Sequence, residues 1–291
     1  MIKIDQTGSL NDVPARLLVP LAAAMIVVAA PAPQPTVNRF DERAAWAFLV
    51  HQVRLGPRPA GSATSRKLAA ELKAALPRGS YQPVPGGLRN VVGFVRGRDP
   101  SRYVVVAAHY DTKEIPGFVG ANDGAGGTAV LVQLARTIKP RTIGPSVLFL
   151  ALDGEEVPAG VPDSKFMTYG IRGAKVAAPK YRQAKAMILL DFVANKDLVL
   201  PRESNSNRAL WQRLRRAAAR VGVGAVFPGE AATIGPVLDD HYPFIKEGVP
   251  SIDLIDFDFP CWHRLCDDLS AVSIASLDIV GETMVELLRS F

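Results

Sequence analysis

The chain has 291 residues, of which 48% are hydrophobic and 21% charged, with 24 Gly and 23 Pro. This composition is typical of a folded globular protein and excludes a disordered or collagen-like chain. The formal net charge is +6, but the basic residues are scattered along the chain, so we expect no nucleic-acid partner.

The first 38 residues have the pattern of an export signal. An apolar run over 17–32 ends in small residues and is followed by a Pro-rich stretch. Such a run is short for a membrane span and is typical of the hydrophobic region of a signal peptide. We therefore predict a signal peptide or an uncleaved N-terminal anchor plus a linker over 1–38. The protein is then exported, periplasmic or secreted, and it contacts a membrane only through that anchor.

The rest of the chain, 39–291, predicts a single α/β domain. Helical patterns alternate with short apolar runs rich in Val, Ile and Leu, which indicate strands buried on both faces. The predicted helices are 40–53, 65–76, 126–138, 205–221 and 273–288. The predicted strands are 90–95, 103–108, 146–152, 187–190 and 251–255. This alternation predicts a central sheet with helices on both faces.

Acidic residues and histidines stand at the ends of these strands and in the turns that open helices. They are His109, Asp111, Asp123, Glu155, Glu156, Asp191, Asp239, Asp240, His241 and His263. Functional sites gather beyond the strand ends of such sheets, so we expect these side chains to converge. A buried carboxylate cluster repels itself unless a cation neutralises it. Imidazole and carboxylate ligands suit zinc, although they also admit manganese or cobalt.

Spacing predicts roles for two neighbouring pairs. His109 and Asp111 lie on one side of an extended strand, so the Asp111 carboxylate is expected to accept a hydrogen bond from the His109 ring. Glu155 and Glu156 are adjacent and diverge in extended backbone. One of them can bind a metal while the other faces the substrate as a base.

Other residues leave simpler explanations open. Alone, Asp123 would be a helix cap, and His51 is expected to be structural. The Gly-rich turn at 124–127 lacks the lysine of a phosphate-binding loop, so we expect no nucleotide site. Cys261 and Cys266 either form a local disulfide in an oxidising compartment or remain buried thiols.

Together, these motifs resemble the M28 zinc peptidase family, and most closely its glutaminyl-peptide cyclotransferase branch. The matching segments are HYDTK (109–113), GANDGAGG (120–127), DGEE (153–156), LLD (189–191), DDHYPF (239–244) and WH (262–263). The resemblance covers about 40–291 and implies a single α/β domain with a mixed, mostly parallel sheet.

The resemblance implies one of two metal arrangements. In the two-zinc aminopeptidases of the family, the matching ligands are His109, Asp123, Glu156, Asp191 and His263, with Glu155 as the base. In the cyclotransferases, one zinc is held by Asp123, Glu156 and His263. There Asp191 and Asp239 form an acidic network around Glu155, and Asp111, Asp240 and His241 lie behind the ligands.

Two features favour the cyclotransferase branch. Asp239 stands directly before Asp240-His241, and the segment YGIR (169–172) is similar to one in the cyclases. Phe259 and Trp262 are expected to form the apolar walls of a small pocket. Leu238 and Asp253 depart from the family pattern, in which a Gln and, in animal cyclases, a His occupy these places.

The implied activity is the conversion of an N-terminal Gln of a peptide or protein into pyroglutamate with release of ammonia. The first alternative is a two-zinc aminopeptidase that hydrolyses the N-terminal peptide bond with Glu155 as general base. The second is a non-catalytic extracytoplasmic module that retains the fold.

Overall fold

A mixed six-stranded sheet organises the part of the chain that the computed structural model describes, residues 33–291. Its strands are β1 (Ser80–Val84), β2 (Leu88–Val95), β3 (Asp99–His109), β4 (Pro145–Leu152), β5 (Met187–Leu190) and β6 (Ser251–Leu254), in the order β1-β2-β4-β3-β5-β6. β4, β3, β5 and β6 are parallel, whereas β1 and β2 join by antiparallel pairing. This confirms the predicted α/β fold with its mostly parallel sheet. Of the signal peptide or anchor and linker predicted over 1–38, residues 1–32 lie outside the described residues.

Helices cover both faces of this sheet. They are α1 (Glu42–Leu55), α2 (Ala63–Ala75), α3 (Ala125–Thr137), α4 (Phe166–Tyr169), α5 (Arg172–Lys180), α6 (Arg208–Arg220), α7 (His241–Lys246) and α8 (Ile274–Arg289). α1 begins where the Asp41 carboxylate accepts a hydrogen bond from the Ala44 amide at 2.9 Å and so caps the helix. No helix within residues 33–291 combines the length and apolar character that a membrane span requires.

The central strands are buried on both faces, as predicted. Along β3, Val104 and Val106 pack into the larger core beneath α1, α3 and α8, while Val105 and Ala107 pack into the core beneath α5 and α7. Because side chains alternate along a strand, each parallel strand supplies both cores. The sheet is therefore held from both sides, and its strand ends are fixed in space.

Among the elements that the sequence did not predict, β1 and α5 have local explanations. β1 is an edge strand with alternating burial, and it contains Pro83, which an edge position tolerates. α5 is short and contains Pro179 near its end, so its helical pattern is weak.

The start of α3 lies unusually close to the end of β5. A Cβ atom added at Gly127 would stand 2.1 Å from the Leu190 carbonyl oxygen, and one at Gly126 would stand 2.8 Å from the Ala194 Cβ. Only glycine permits this approach. It brings the turn before α3, which carries Asp123, towards the residue that follows β5, which is Asp191.

We expect Gly127→Ala to lower the free energy of unfolding by about 2 kcal/mol, because the added methyl group must displace the β5 backbone. The measurement is thermal unfolding, where this loss corresponds to a fall in Tm of roughly 5 °C for a domain of this size. Gly235→Ala is the control, since a Cβ atom there meets nothing within 4 Å. Equal Tm values for the two variants would contradict the close-packing argument.

Candidate active site

The predicted ligands meet at the carboxyl ends of the parallel strands. His109 is the last residue of β3, Glu156 follows β4 and Asp191 follows β5. Asp123 comes from the turn before α3, and His263 from the loop after β6, where its φ of 51° is left-handed. The parallel arrangement places these segments at one edge of the sheet.

Two sets of potential ligand atoms share Asp123. In the first set, the His263 Nε2 atom lies 3.1 Å from the Glu156 Oε1 atom and 3.6 Å from the Asp123 Oδ2 atom. In the second set, the His109 Nε2 atom lies 3.3 Å from both the Asp123 Oδ1 atom and the Asp191 Oδ1 atom. All five residues that the resemblance names as ligands are therefore brought together.

The chemistry of both sets fits zinc. Each set offers one imidazole nitrogen and two carboxylate oxygens that lie within 4.8 Å of one another. The Asp123 Oδ2 atom is buried and has no hydrogen-bond partner among the described residues. A buried carboxylate oxygen of this kind requires a cation or a donor, and nitrogen and oxygen donors suit zinc.

Asp111 acts differently from the prediction. Its carboxylate is 3.9 Å from the His109 Nδ1 atom, and it accepts hydrogen bonds from the amides of Gly154, Glu155 and Glu156 at 2.9 to 3.2 Å. The His109 Nδ1 atom pairs with the Asp111 main-chain carbonyl at 3.1 Å. The predicted ring-to-carboxylate bond is wrong because β3 ends at His109, where the strand alternation stops.

A second pair of residues fixes Asp123, and sequence reasoning missed both members. The two carboxylate oxygens of Asp267 accept hydrogen bonds from the backbone amides of Asn122 at 2.7 Å and of Asp123 at 3.0 Å. The buried Arg58 guanidinium donates to the carbonyls of Val119 and Gly120. Arg58 lies within 40–291, the range that the resemblance covers, but outside the matching motifs, and no sequence signal marks Asp267.

The loop that carries His263 is closed by a disulfide between Cys261 and Cys266. The sequence left this pairing open. Asp267 follows immediately, so one short covalent loop carries a potential zinc ligand and leads directly into the residue that binds the Asp123 turn. The disulfide therefore restricts both at once.

Glu155 and Asp239 line a cavity of about 310 Å³ beside the first ligand set. Burial raises the pKa of Glu155 well above its usual range, and the charge of Glu156 raises it further. Burial likewise raises the pKa of Asp239 well above its usual range, followed by the charges of Asp191 and Asp240. Two buried acids with raised pKa values in one cavity are typical of a site that handles protons.

The apolar side of this cavity differs from the prediction in one residue. Trp262 lines it as expected, next to Phe257 at 5.1 Å between ring centres. Phe259 does not line it, because this ring is buried behind Phe192 at 5.9 Å. The backbone turns after β6, so Phe257 lines the cavity in the place predicted for Phe259.

The other predicted residues lie around this centre. Burial raises the pKa of Asp240 to about 8, and this residue precedes α7. The buried His241 ring lies between Glu203, at 3.3 Å from Nε2, and Asp253, at 3.7 Å from Nδ1. His51 lies outside the site, where it pairs with Glu71 on the surface.

One cation near the site comes from the chain itself. The Lys113 Nζ atom lies 3.1 Å from the Glu156 Oε2 atom and 2.6 Å from the Asp163 Oδ1 atom. Lys113 therefore partly balances the charge of Glu156, whose other oxygen faces His263.

Comparison with known proteins identifies the family. The profile of peptidase family M28 matches residues 90–288. The chain belongs to peptidase family M28. It is 27% identical to a glutaminyl-peptide cyclotransferase of Drosophila melanogaster over 234 residues, which cover 68% of this chain and 64% of that protein. The chain thus spans slightly less than two thirds of that relative.

Solved structures of similar proteins share the fold of this M28 chain. A glutaminyl cyclase of an Acidobacteriales bacterium is 30% identical, with a TM-score of 0.74 over 90% of this chain and 97% of that one. A Zn-dependent exopeptidase of Parabacteroides distasonis is 26% identical, with a TM-score of 0.76 over 88% of this chain and 100% of that one.

We expect Asp267→Asn to weaken zinc binding by roughly 10- to 100-fold, the usual effect of losing a residue that orients a ligand. The asparagine amide cannot accept one of the two backbone hydrogen bonds, so the Asp123 turn loosens. The measurement is competition with a chromophoric chelator. Asp268→Asn is the matched control, because the Asp268 carboxylate accepts hydrogen bonds only from Ser270 among the described residues. Equal affinity in the two variants would refute this role of Asp267.

Proposed function

We propose that this M28 protein is a zinc-dependent glutaminyl-peptide cyclotransferase that acts on the N-termini of peptides or proteins. The observation that carries the proposal is the placement of Asp239 with Glu155 in one cavity, directly beside the ligand set of Asp123, Glu156 and His263. The names of the similar cyclotransferases and cyclases support it.

The size and lining of the cavity suit one glutamine side chain. Its volume of about 310 Å³ lies at the lower end of ligand pockets, which span roughly 300–1,000 Å³. Phe257 and Trp262 supply apolar walls for the side-chain methylenes, and Glu155, Asp239 and the carboxylates of the ligand sets line the same cavity. A short amphiphilic side chain is the best match to this arrangement.

Glu155 is the proton carrier in the proposed reaction. When bound, zinc supplies Lewis-acid polarisation of the side-chain carbonyl of the substrate. Glu155 accepts a proton as the α-amine nitrogen attacks the side-chain carbonyl carbon and closes the lactam ring. The bond from that carbon to the amide nitrogen then breaks, and Glu155 returns the proton to the departing ammonia. The products are a pyroglutamyl peptide and ammonia.

Asp239 tunes this proton carrier. Two buried carboxyl groups in one cavity do not both ionise easily, and the charge of Asp239 adds to burial and to the charge of Glu156 in raising the pKa of Glu155. Asp239 therefore helps Glu155 to exchange a proton near neutral pH, where acid–base catalysis is most efficient.

An aminopeptidase is the second candidate, because His109, Asp123 and Asp191 form a second ligand set. Hydrolysis by two cations would use Glu155 as the base for water. However, a doubly protonated His109 ring can donate from Nδ1 to the Asp111 carbonyl and from Nε2 to the Asp191 carboxylate, so this imidazolium can balance Asp191 without a second metal ion. This favours one zinc. A non-catalytic module is the weakest candidate, since the chain keeps every ligand position and Glu155.

Export is part of the proposal. The Cys261–Cys266 disulfide is typical of proteins in oxidising compartments. It supports a periplasmic or secreted location, in agreement with the signal sequence predicted over 1–38.

The proposal predicts the products formed from two peptides, one beginning with Gln and one with Leu. The zinc-loaded protein should remove one ammonia from the Gln peptide and leave the Leu peptide intact, as read by mass spectrometry. Glu155→Gln is the control for spontaneous cyclisation. Release of the N-terminal residue from either peptide would establish an aminopeptidase instead.

Asp239→Asn should lower the kcat of cyclisation on the order of 10²-fold, the lower range for loss of a group in acid–base catalysis. Zinc content should stay at the wild-type level, because Asp239 belongs to neither ligand set. Zinc is measured by elemental analysis on the same samples. Unchanged turnover in the variant would remove Asp239 from the mechanism.

A further inference from the structure

A second cavity adjoins the catalytic cavity. Its volume is about 780 Å³, and it shares Pro236, Val237 and Phe257 with the catalytic cavity as lining residues. These three residues therefore border both cavities and form a ridge between them. A ligand that enters the catalytic cavity can continue across this ridge into the second cavity.

The lining of the second cavity is apolar and acidic. Val199, Ile234 and several prolines form apolar surface, and the acids are Asp197, Asp256 and Asp258. No lysine or arginine stands among its described lining residues, although the chain carries a net charge of +6. The cavity is thus an acidic region on a basic protein.

Two of the three acids are free to meet a ligand. The Asp256 Oδ2 atom accepts hydrogen bonds from the Asn195 side-chain amide at 2.8 Å and from the Val199 backbone amide at 3.2 Å. Asp256 therefore stabilises the cavity wall. Asp197 and Asp258 are exposed, and neither takes part in a salt bridge within the described part of the chain.

We propose that the second cavity binds the substrate residues that follow the N-terminal Gln, and that it favours lysine or arginine there. This inference rests on the proposed function. A peptide whose first side chain fills the catalytic cavity must direct its remaining chain outwards, and each extended residue advances by about 3.3 Å. The next few residues can therefore reach across the ridge formed by Pro236, Val237 and Phe257.

A basic side chain matches this lining in both of its parts. The long aliphatic stems of lysine and arginine pack along apolar surface while their charged ends stay in water. Here the proline and valine wall receives the stem, and Asp197 and Asp258 attract the charged end. Exposed ion pairs are individually weak and are screened by salt, so we expect a preference of roughly 3- to 10-fold rather than strict selection.

The test uses zinc-loaded full-length protein and Gln-initiated pentapeptides with Lys, Ala or Glu at positions three and four. We expect kcat/KM to fall in the order Lys, Ala, Glu, and the spread to shrink as NaCl is raised. In the double variant Asp197→Asn, Asp258→Asn, the three pentapeptides should have equal kcat/KM values. Glu247→Gln, an exposed acid that lines neither cavity, should preserve it.

A short substrate and a binding assay separate this inference from the proposed function. Gln-amide is too short to reach the second cavity, so wild type and double variant should cyclise it equally. Binding of the Lys and Glu pentapeptides to Glu155→Gln protein, measured by calorimetry, gives the same comparison without turnover. If the pentapeptides bind according to charge but the wild-type protein does not cyclise them, the proposed cyclotransferase activity is refuted, whereas the proposed binding role of the second cavity stands.

Three results would overturn the inference. The first is equal kcat/KM for the Lys and Glu pentapeptides in wild type. The second is a Lys preference that survives in the double variant. The third is self-association of the wild-type protein that the double variant abolishes, since a second copy of the chain would then occupy the cavity.

Discussion

The burial of Asp123 between two histidines is the constraint on which the rest of the site depends. One carboxylate oxygen faces His109 and the other faces His263, while Glu156 and Asp191 crowd the same space. Removing these charges from water costs several kcal/mol for each ion. A bound cation would offset that cost and, in the proposed reaction, would supply Lewis acidity beside Glu155. The charge balance of the fold and the polarisation that the proposed reaction needs would then come from the same ion.

Several separate devices hold Asp123 in place. Gly127 lets α3 approach β5, Asp267 binds the amides of the turn, and Arg58 binds its preceding carbonyls. The disulfide loop then fixes His263 relative to Asp267. These devices come from three separate segments of the chain, namely the segment before α2, α3 and the loop 261–267, so the geometry of the site depends on the packing of the whole domain rather than on one motif.

The sequence allowed the central fold and the convergence of the candidate ligands to be predicted, because strand ends marked by an acid or a histidine follow directly from short-range pattern. Asp267 could not be predicted, since its bonds to the turn join residues 144 and 145 positions apart. Phe257 was missed because the chain turns after β6, where alternation no longer says which side a ring faces. The predicted hydrogen bond from the His109 ring to the Asp111 carboxylate was wrong for the same reason, because the alternation also stops at the end of β3.

The most direct test is the location of zinc in a crystal of the zinc-loaded protein, read from an anomalous difference map at the zinc absorption edge. The account predicts one peak per chain, bounded by Asp123, Glu156 and His263. A map without a peak there, or with a second equal peak between His109 and Asp191, would contradict a single-zinc centre built on Asp123.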